Sequence, residues 1–65
     1  MHISLNGEIE TIEPQSLESY LADKSLLGRR IAVERNGEIV PKSRFSEVIL
    51  EDGDVLEIVH AIGGG

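Results

Sequence analysis

Two Asn-Gly pairs constrain the fold of this 65-residue chain more than any other feature. The pairs, Asn6-Gly7 and Asn36-Gly37, each stand between two short segments rich in isoleucine, leucine and valine. Asn-Gly tolerates the positive φ angles of the two-residue turns that connect antiparallel strands. The sequence therefore predicts two β-hairpins, one in each half of the chain.

The first hairpin is predicted to pair residues 2–6 with residues 8–13. Apolar and polar residues alternate in its first strand, which is typical of a strand with one buried face. In its second strand Ile9 and Ile12 have opposite parity, so either a bulge intervenes or one of the two side chains faces solvent. Pro14 ends this strand.

One helix is predicted between the hairpins, at residues 17–25. Ser16 can accept a hydrogen bond at the helix N-terminus, and Gly28 can end the segment with a left-handed conformation. The side that packs on the sheet is predicted from the i, i+3, i+4 spacing to consist of Leu17, Tyr20 and Leu21.

The second hairpin is predicted to join residues 31–35 to residues 38–40. Pro41 stops the returning strand, which suits a sheet edge because proline cannot donate to a ladder. After it, residues 42–50 are predicted to form a helical turn and a loop. Four apolar side chains are expected to anchor this loop on the core: Phe45, Val48, Ile49 and Leu50.

The last strand is predicted at residues 55–60, after a tight polar turn. Because side chains alternate along a strand, Leu56 and Ile58 are expected to face the helix. Glu57 and Val59 then lie on the opposite face. An apolar group on an open sheet face is a candidate docking point for a partner.

This order of elements predicts an α+β domain over residues 1–60, with a mixed sheet of about five strands and one main helix on one face. Residues 61–65 are predicted to be a flexible tail ending in Gly63, Gly64 and Gly65. Glycines leave a thin backbone that fits a narrow channel, and the α-carboxylate of Gly65 is the candidate reacting group. The alternative is a frayed end or an expression remnant.

Composition limits the classes of function. A net charge of −6 argues against nucleic-acid binding, because neutralisation of phosphates supplies most of that affinity. The absence of cysteine excludes a thiolate nucleophile, a disulfide framework and a thiolate zinc site. The sequence has no basic leader and no apolar run of membrane-spanning length, so we expect a cytoplasmic location and no membrane partner.

The charges are segregated along the chain, since all six basic residues lie between Lys24 and Arg44. The acidic ends favour an electropositive protein partner, and the alternative is a surface whose charge only keeps the protein soluble. Within the basic segment, five residues could form a patch that meets a partner, or a solvated edge guarded by charge. They are Arg29, Arg30, Arg35, Lys42 and Arg44.

Three blocks of sequence resemble the ThiS family of ubiquitin-like β-grasp sulfur carriers. They are Asn-Gly-Glu-Ile-Val-Pro-Lys at 36–42, Asp-Gly-Asp-Val-Leu-Glu-Ile-Val at 52–59, and Ile-Gly-Gly-Gly at 62–65. Their order and spacing carry a resemblance that covers the whole chain. The sister carriers of molybdopterin synthesis, the MoaD family, have prolines just before their terminal glycines, which residues 59–62 lack.

The resemblance implies a β-grasp fold and a sulfur carrier that is a cosubstrate, not an enzyme. A ThiF-like adenylyltransferase would use Mg-ATP to adenylate the carboxylate of Gly65, and the chain itself would bind no cofactor. Sulfur supplied through a cysteine desulfurase or sulfurtransferase would convert the adenylate into a thiocarboxylate. A ThiG-like thiazole synthase would then take up this sulfur for the thiazole of thiamine.

Partner docking is expected at Val59, Glu57 and Ile62, which lie beside or within the glycine-ended segment. The first and last strands of a β-grasp sheet are parallel neighbours, which would place His2 and His60 at opposite ends. This separation argues against a metal site built on the two histidines.

Other interpretations stay open at this point. The chain could be a MoaD-like or tRNA-thiolation carrier, a ubiquitin-like modifier joined to lysines through Gly65, or an interaction module with an incidental tail. Asp52 and Asp54 could act as an acid–base pair or bind Ca²⁺, but a short turn with a central glycine explains them better.

Overall fold

The computed structural model describes residues 1–61, and in them a five-stranded mixed sheet carries one α-helix on one face. The strands are β1 His2–Leu5, β2 Glu8–Thr11, β3 Ile31–Arg35, β4 Glu38–Val40 and β5 Val55–His60. The helix α1 spans Leu17–Asp23, and a 3₁₀ turn spans Lys42–Arg44. The predicted fold class is confirmed.

The strand order is β2-β1-β5-β3-β4, so the last strand in sequence occupies the centre of the sheet. It pairs parallel to β1 and antiparallel to β3. The short strand β4 lies at an edge, as Pro41 predicts.

Both predicted hairpins are present, and both turns use left-handed backbone at their two central residues. The φ angles are 49° and 87° at Asn6 and Gly7, and 53° and 85° at Asn36 and Gly37. Such turns match the twist of the flanking strands. In the first hairpin the register is regular, without a bulge, and the side chain of Ile9 faces outward, 77% exposed.

The helix begins where the sequence predicts, because the side chain of Ser16 accepts a hydrogen bond from the N–H of Ser19 at 3.0 Å. It ends at Asp23, two residues before the predicted end. Ser25 adopts a φ of 60°, and the N–H of Leu26 donates to the carbonyl of Leu21 at 2.8 Å. This turn lets the side chain of Leu26 pack on the core, so a tertiary contact decides where the helix stops.

The core lies between α1 and the inner face of the sheet, as the alternation of apolar residues predicts. Leu56 and Ile58 of β5 are buried, and so are Phe45 and Leu50 of the long loop. The prediction for Ile49 is wrong, because it is 59% exposed. Its backbone forms an extended bridge with Ser16, so neighbouring side chains point in opposite directions and Leu50 takes the inward position. The core residues are Ile3, Leu17, Tyr20, Leu21, Ile31, Val33, Phe45, Leu50, Leu56 and Ile58.

Candidate functional site

The C-terminal end of the central strand is the part of the structure that bears on the predicted chemistry. Strand β5 ends at His60, and the N–H of Ala61 donates to the carbonyl of Arg30 at 2.9 Å. The ladder between β3 and β5 therefore continues through Ala61. The predicted reacting group at Gly65, with Gly63 and Gly64 and the docking residue Ile62, lies outside the described residues.

Two asparagine side chains hold β5 from both sides. In the first hairpin turn, the Asn6 amide accepts from the N–H of Ile58 at 2.8 Å and donates to its carbonyl at 3.2 Å. In the second, the Asn36 side chain accepts from the N–H of Val55 at 2.9 Å. Asn-Gly predicts the turns, but nothing in the sequence pattern indicated that both asparagines also fix the position of the last strand.

The outer face of the sheet, opposite α1, carries both of the described residues predicted for docking. Val59 is 62% exposed and Glu57 is also exposed, as strand alternation predicts. The cross-strand register places Ala32 opposite Val59 and Glu34 opposite Glu57. Within the strands of the described range, the outer face consists of His2, Ser4, Ile9, Thr11, Ala32, Glu34, Ile39, Val55, Glu57 and Val59.

The pair Glu34 and Glu57 gives this face an unfavourable internal contact. The two carboxylates are on directly opposite residues of neighbouring strands, where like charges repel. Neither forms an ion pair with any other residue of the described range 1–61. Exposed aliphatic side chains surround the two acids, including Val59 and Ile39. A partner with basic and apolar groups would relieve the repulsion on binding.

Asp54 anchors the turn that leads into β5. Its carboxylate is buried and accepts hydrogen bonds from Arg35 at 2.9 Å, from Asn36 at 3.0 Å and from the N–H of Glu51 at 2.9 Å. Burial alone would raise the pKa of this carboxyl, but these donors and the positive charge of Arg35 outweigh it and hold the pKa below its usual value. In the same turn Asp52 accepts from the N–H of His2 at 2.7 Å. Both aspartates thus serve the turn, as predicted.

A second cluster of polar groups attaches the edge strand β2 to the helix. Glu10 accepts from Lys24 at 2.8 Å and from the hydroxyl of Tyr20 at 3.0 Å. The Lys24 hydrogen bond is the main cause that lowers the pKa of Glu10, while burial is the main cause that raises the pKa of Tyr20. The cluster lies on the inner side of the sheet, so we assign it a structural role.

The predicted basic patch needs a correction at Arg35. Its side chain forms ion pairs with Asp54 at 2.9 Å and Glu51 at 3.1 Å, because β3 directs it to the inner face beside the turn. Arg35 therefore belongs, with Asp54 and Glu51, to the group of side chains that hold the turn before β5. The other four basic residues are exposed but do not form one patch, since Arg29 and Arg30 precede β3 whereas Lys42 and Arg44 lie in the 3₁₀ turn after β4.

The two histidines do not lie together in the fold. His2 begins β1 and His60 ends β5, and the parallel pairing of these strands places the two residues at opposite ends of the sheet. Residues 1–61 contain no group of three or more side chains suited to hold a metal ion. No helix within that range has the length and apolar character needed to cross a bilayer.

Comparison with known proteins identifies relatives across the whole chain. The sulfur carrier protein ThiS of Bacillus subtilis is 48% identical to this chain over 50 residues. The aligned residues cover 77% of this chain and 76% of that protein. A thiazole synthase of Paramagnetospirillum magneticum is 46% identical over 66 aligned residues. That match covers all of this chain but only 20% of the relative. The chain therefore spans about a fifth of the length of this larger protein.

Solved structures show the same fold. The crystal structure of the thiamine biosynthesis protein ThiS from Geobacter metallireducens superposes with a TM-score of 0.86. It is 28% identical in sequence, and the superposition covers 100% of both chains. The model of the ThiS family matches residues 3–65. By sequence and by fold, the chain belongs to the ThiS family.

Proposed function

We propose that this chain is a sulfur carrier of thiamine biosynthesis and that it carries sulfur as a thiocarboxylate on Gly65. The observation that carries the proposal is the position of β5. This strand lies at the centre of the sheet, is held by Asn6 and Asn36, and is followed in sequence by Ala61 and then Ile-Gly-Gly-Gly. Membership of the ThiS family and the similarity to the Bacillus subtilis carrier support the same role.

The chemistry begins with activation of a poor acyl donor. The carboxylate of Gly65 attacks the α-phosphorus of Mg-ATP on a ThiF-like adenylyltransferase, and pyrophosphate leaves. A sulfur nucleophile then attacks the acyl carbon, and AMP leaves with one of the original carboxylate oxygens. Where the sulfur arrives as a persulfide from a cysteine desulfurase or sulfurtransferase, a thiol cleaves the remaining S–S bond. The catalytic groups for these steps belong to the partners.

Thiazole synthase is the proposed acceptor of the sulfur. The relative from Paramagnetospirillum magneticum bears that name and contains a segment that matches all of this chain. A protein that holds both parts in one polypeptide supports a physical partnership between the carrier and a ThiG-like synthase. In the proposal, the thiocarboxylate on Gly65 supplies the sulfur atom of the thiazole.

Docking on the partners is proposed to use the outer face next to the end of β5. Val59 supplies an exposed apolar contact, and Glu57 with its neighbour Glu34 supplies negative charge. Ile62 follows within three residues of Val59 in sequence. An interface of this composition, with an apolar centre and charges around it, is typical of a transient protein contact.

The intact mass of the carrier tests the proposal. The protein is incubated with the adenylyltransferase and desulfurase of its own organism, Mg-ATP and cysteine. We expect one oxygen to be replaced by sulfur, and fragmentation should locate the change to Gly65. A matched variant that lacks Gly64 and Gly65 should give no adenylate and no sulfur. It should keep the stability of the wild type, because the core residues of the described range 1–61 all lie between Ile3 and Ile58.

Other outcomes separate the alternatives. An unchanged terminus under these conditions would contradict the proposal. Sulfur on Gly65 that thiazole synthase cannot use would indicate a carrier for another pathway, such as molybdopterin synthesis or tRNA thiolation. Isopeptide conjugates on a denaturing gel would indicate a protein modifier.

A further inference from the structure

The basic residues of this acidic chain are not distributed evenly in space. Lys24 and Arg35 form close ion pairs with Glu10 and Asp54, and Arg44 forms a long one of 3.9 Å with Glu47. Among the residues of the described range 1–61, no such partner is found for Arg29, Arg30 or Lys42, and of these three only Arg29 and Arg30 lie immediately before β3. Both arginines are exposed, and Arg30 is the residue whose carbonyl pairs with Ala61.

Arg30 therefore lies beside the end of β5. It precedes the buried Ile31, so strand alternation places it on the side of the outer face. Arg29 is adjacent, and its Nε donates to the carbonyl of Ser25 at 3.1 Å. We call Arg29 and Arg30 the arginine pair.

The arginine pair completes a banded pattern along β3 and β5. The first band is the positive charge of Arg30 next to Ala61, and the second is the apolar pair Ala32 and Val59. The third is the acidic pair Glu34 and Glu57. Because strands rise about 3.4 Å per residue, Arg30 and Glu34 are about 13 Å apart along the sheet. The pattern has opposite charges at its two ends, so it distinguishes one orientation of a bound partner from the reverse.

We infer that the arginine pair is a docking element for the adenylating partner and binds acidic side chains at the mouth of the channel that receives residues 62–65. This inference rests on the proposed function and adds the kind of surface that the partner must present. Acidic groups would face Arg30, apolar groups would face Val59, and basic groups would face Glu57. Electrostatic complementarity of this type fixes orientation and accelerates encounter.

Distance limits what the arginine pair can do in the reaction. In an extended channel, residues 62–65 would carry the Gly65 carboxylate up to about 14 Å beyond Ala61, the residue that pairs with Arg30. At physiological ionic strength charges are screened over about 8 Å. Arg30 is therefore a positioning residue for docking. Its loss should raise the KM for the carrier and leave kcat nearly unchanged.

The test is charge reversal at two sites with equal change in net charge. Arg30→Glu and Arg44→Glu both alter the chain by two units of charge, and Arg44 lies away from Ala61, beside Arg35 and Asn36. Carrier-dependent exchange of pyrophosphate into ATP by the adenylyltransferase gives KM and kcat. We expect Arg30→Glu to raise KM about fivefold to tenfold, with Arg44→Glu within about twofold of wild type. Thermal unfolding of each variant verifies that it is folded.

Two further measurements make the result decisive. Arg30→Lys should recover most of the affinity, and the difference between Arg30→Glu and wild type should shrink in high salt. Equal KM values for Arg30→Glu and Arg44→Glu would overturn the inference, as would a fall in kcat alone. Failure of the wild type to support any exchange would overturn the proposed function and this inference together.

Discussion

Among the polar and charged residues of the described range 1–61, Asp54 is the one that is buried. Its buried carboxylate accepts three hydrogen bonds and joins the turn before β5 to the end of β3. Loss of this carboxylate would leave its partly buried donors without their acceptor and Arg35 with only the exposed Glu51 as a counter-charge. The turn therefore depends on the ionised form of Asp54.

This dependence predicts a specific response to pH. The pKa of Asp54 is lower in the folded chain than its ordinary value, so the unfolded chain binds more protons as pH falls. The stability that Asp54 supplies is present above its unfolded pKa of about 4 and is lost as pH falls through the folded pKa. Urea unfolding at a series of pH values should show this loss in the wild type and a flatter profile in Asp54→Asn.

At neutral pH we expect Asp54→Asn to lower the free energy of unfolding by about 1–3 kcal/mol, because partly buried donors lose a charged acceptor. The control is Asp52→Asn in the same turn. Asp52 is exposed and uses one oxygen to accept from the N–H of His2, which an asparagine can also do. Its variant should cost less than about 1 kcal/mol. Similar losses in the two variants would contradict the role given to Asp54.

The sequence predicted the turn at Asp54 but not its burial. Asp-Gly-Asp is local turn chemistry that can be read from three adjacent residues. The partner Arg35 is 19 residues away, and the contact exists only because β3 and β5 are neighbours. The hydrogen bonds from β5 to the side chains of Asn6 and Asn36 were also not predicted, because they too join residues that are distant in the sequence.

Among the described strands, β3 and β5 are paired along the greatest length. Their outer side carries a pair of like charges that repel each other. Glu34 and Glu57 face each other across the ladder. Like charges in that position destabilise a sheet by about 0.2–1 kcal/mol. A binding role for the acidic pair would explain a contact that weakens the free protein.

Glu34→Gln should therefore raise the free energy of unfolding by about 0.2–1 kcal/mol at low ionic strength. The gain should diminish in high salt, since the repulsion between exposed charges is screened. Urea unfolding at two salt concentrations measures both effects. Glu8→Gln is the control, because Glu8 is exposed on the edge strand β2 opposite Leu5. An equal gain in both variants would point to net charge as the cause.

The strands were more predictable than the ends of the helix and the long loop. Asn-Gly turns and alternating residues are local, so both hairpins and β5 follow from the sequence. The helix stops at Asp23 because Leu26 turns back to the core, and Ile49 is exposed because its backbone pairs with Ser16. Both outcomes depend on contacts between distant segments.

For the whole molecule, the sheet has two faces with different roles. The inner face and α1 form the core, while the outer face presents exposed aliphatic residues next to the end of β5. Alternation along β5 was enough to predict the exposure of Val59 and Glu57. The parallel pairing of β5 with β1 followed only from the family resemblance, and the central position of β5 was not predicted, because strand order is not encoded in the pattern of any one segment.

If the outer face binds the adenylyltransferase, Val59→Lys should raise the KM for the carrier about tenfold or more. The lysine would place a charge where the complex buries the apolar side chain of Val59. Ile49→Lys is a matched control, because it also replaces an exposed β-branched aliphatic side chain by lysine. The two side chains are 62% and 59% exposed, but Ile49 lies in the loop that pairs with Ser16. Pyrophosphate exchange measures KM, and circular dichroism verifies folding. Equal effects in both variants would exclude the outer face.

The parallel pairing of β1 and β5 has a mechanical consequence. The chain enters the sheet at the start of β1 and reaches Ala61 at the opposite end of the neighbouring strand. A force applied between these two points acts along the strands, so the hydrogen bonds of the two ladders of β5 are sheared together and not opened one after another. An unfoldase that pulls on the C-terminal end of β5 would therefore have to break both ladders at once.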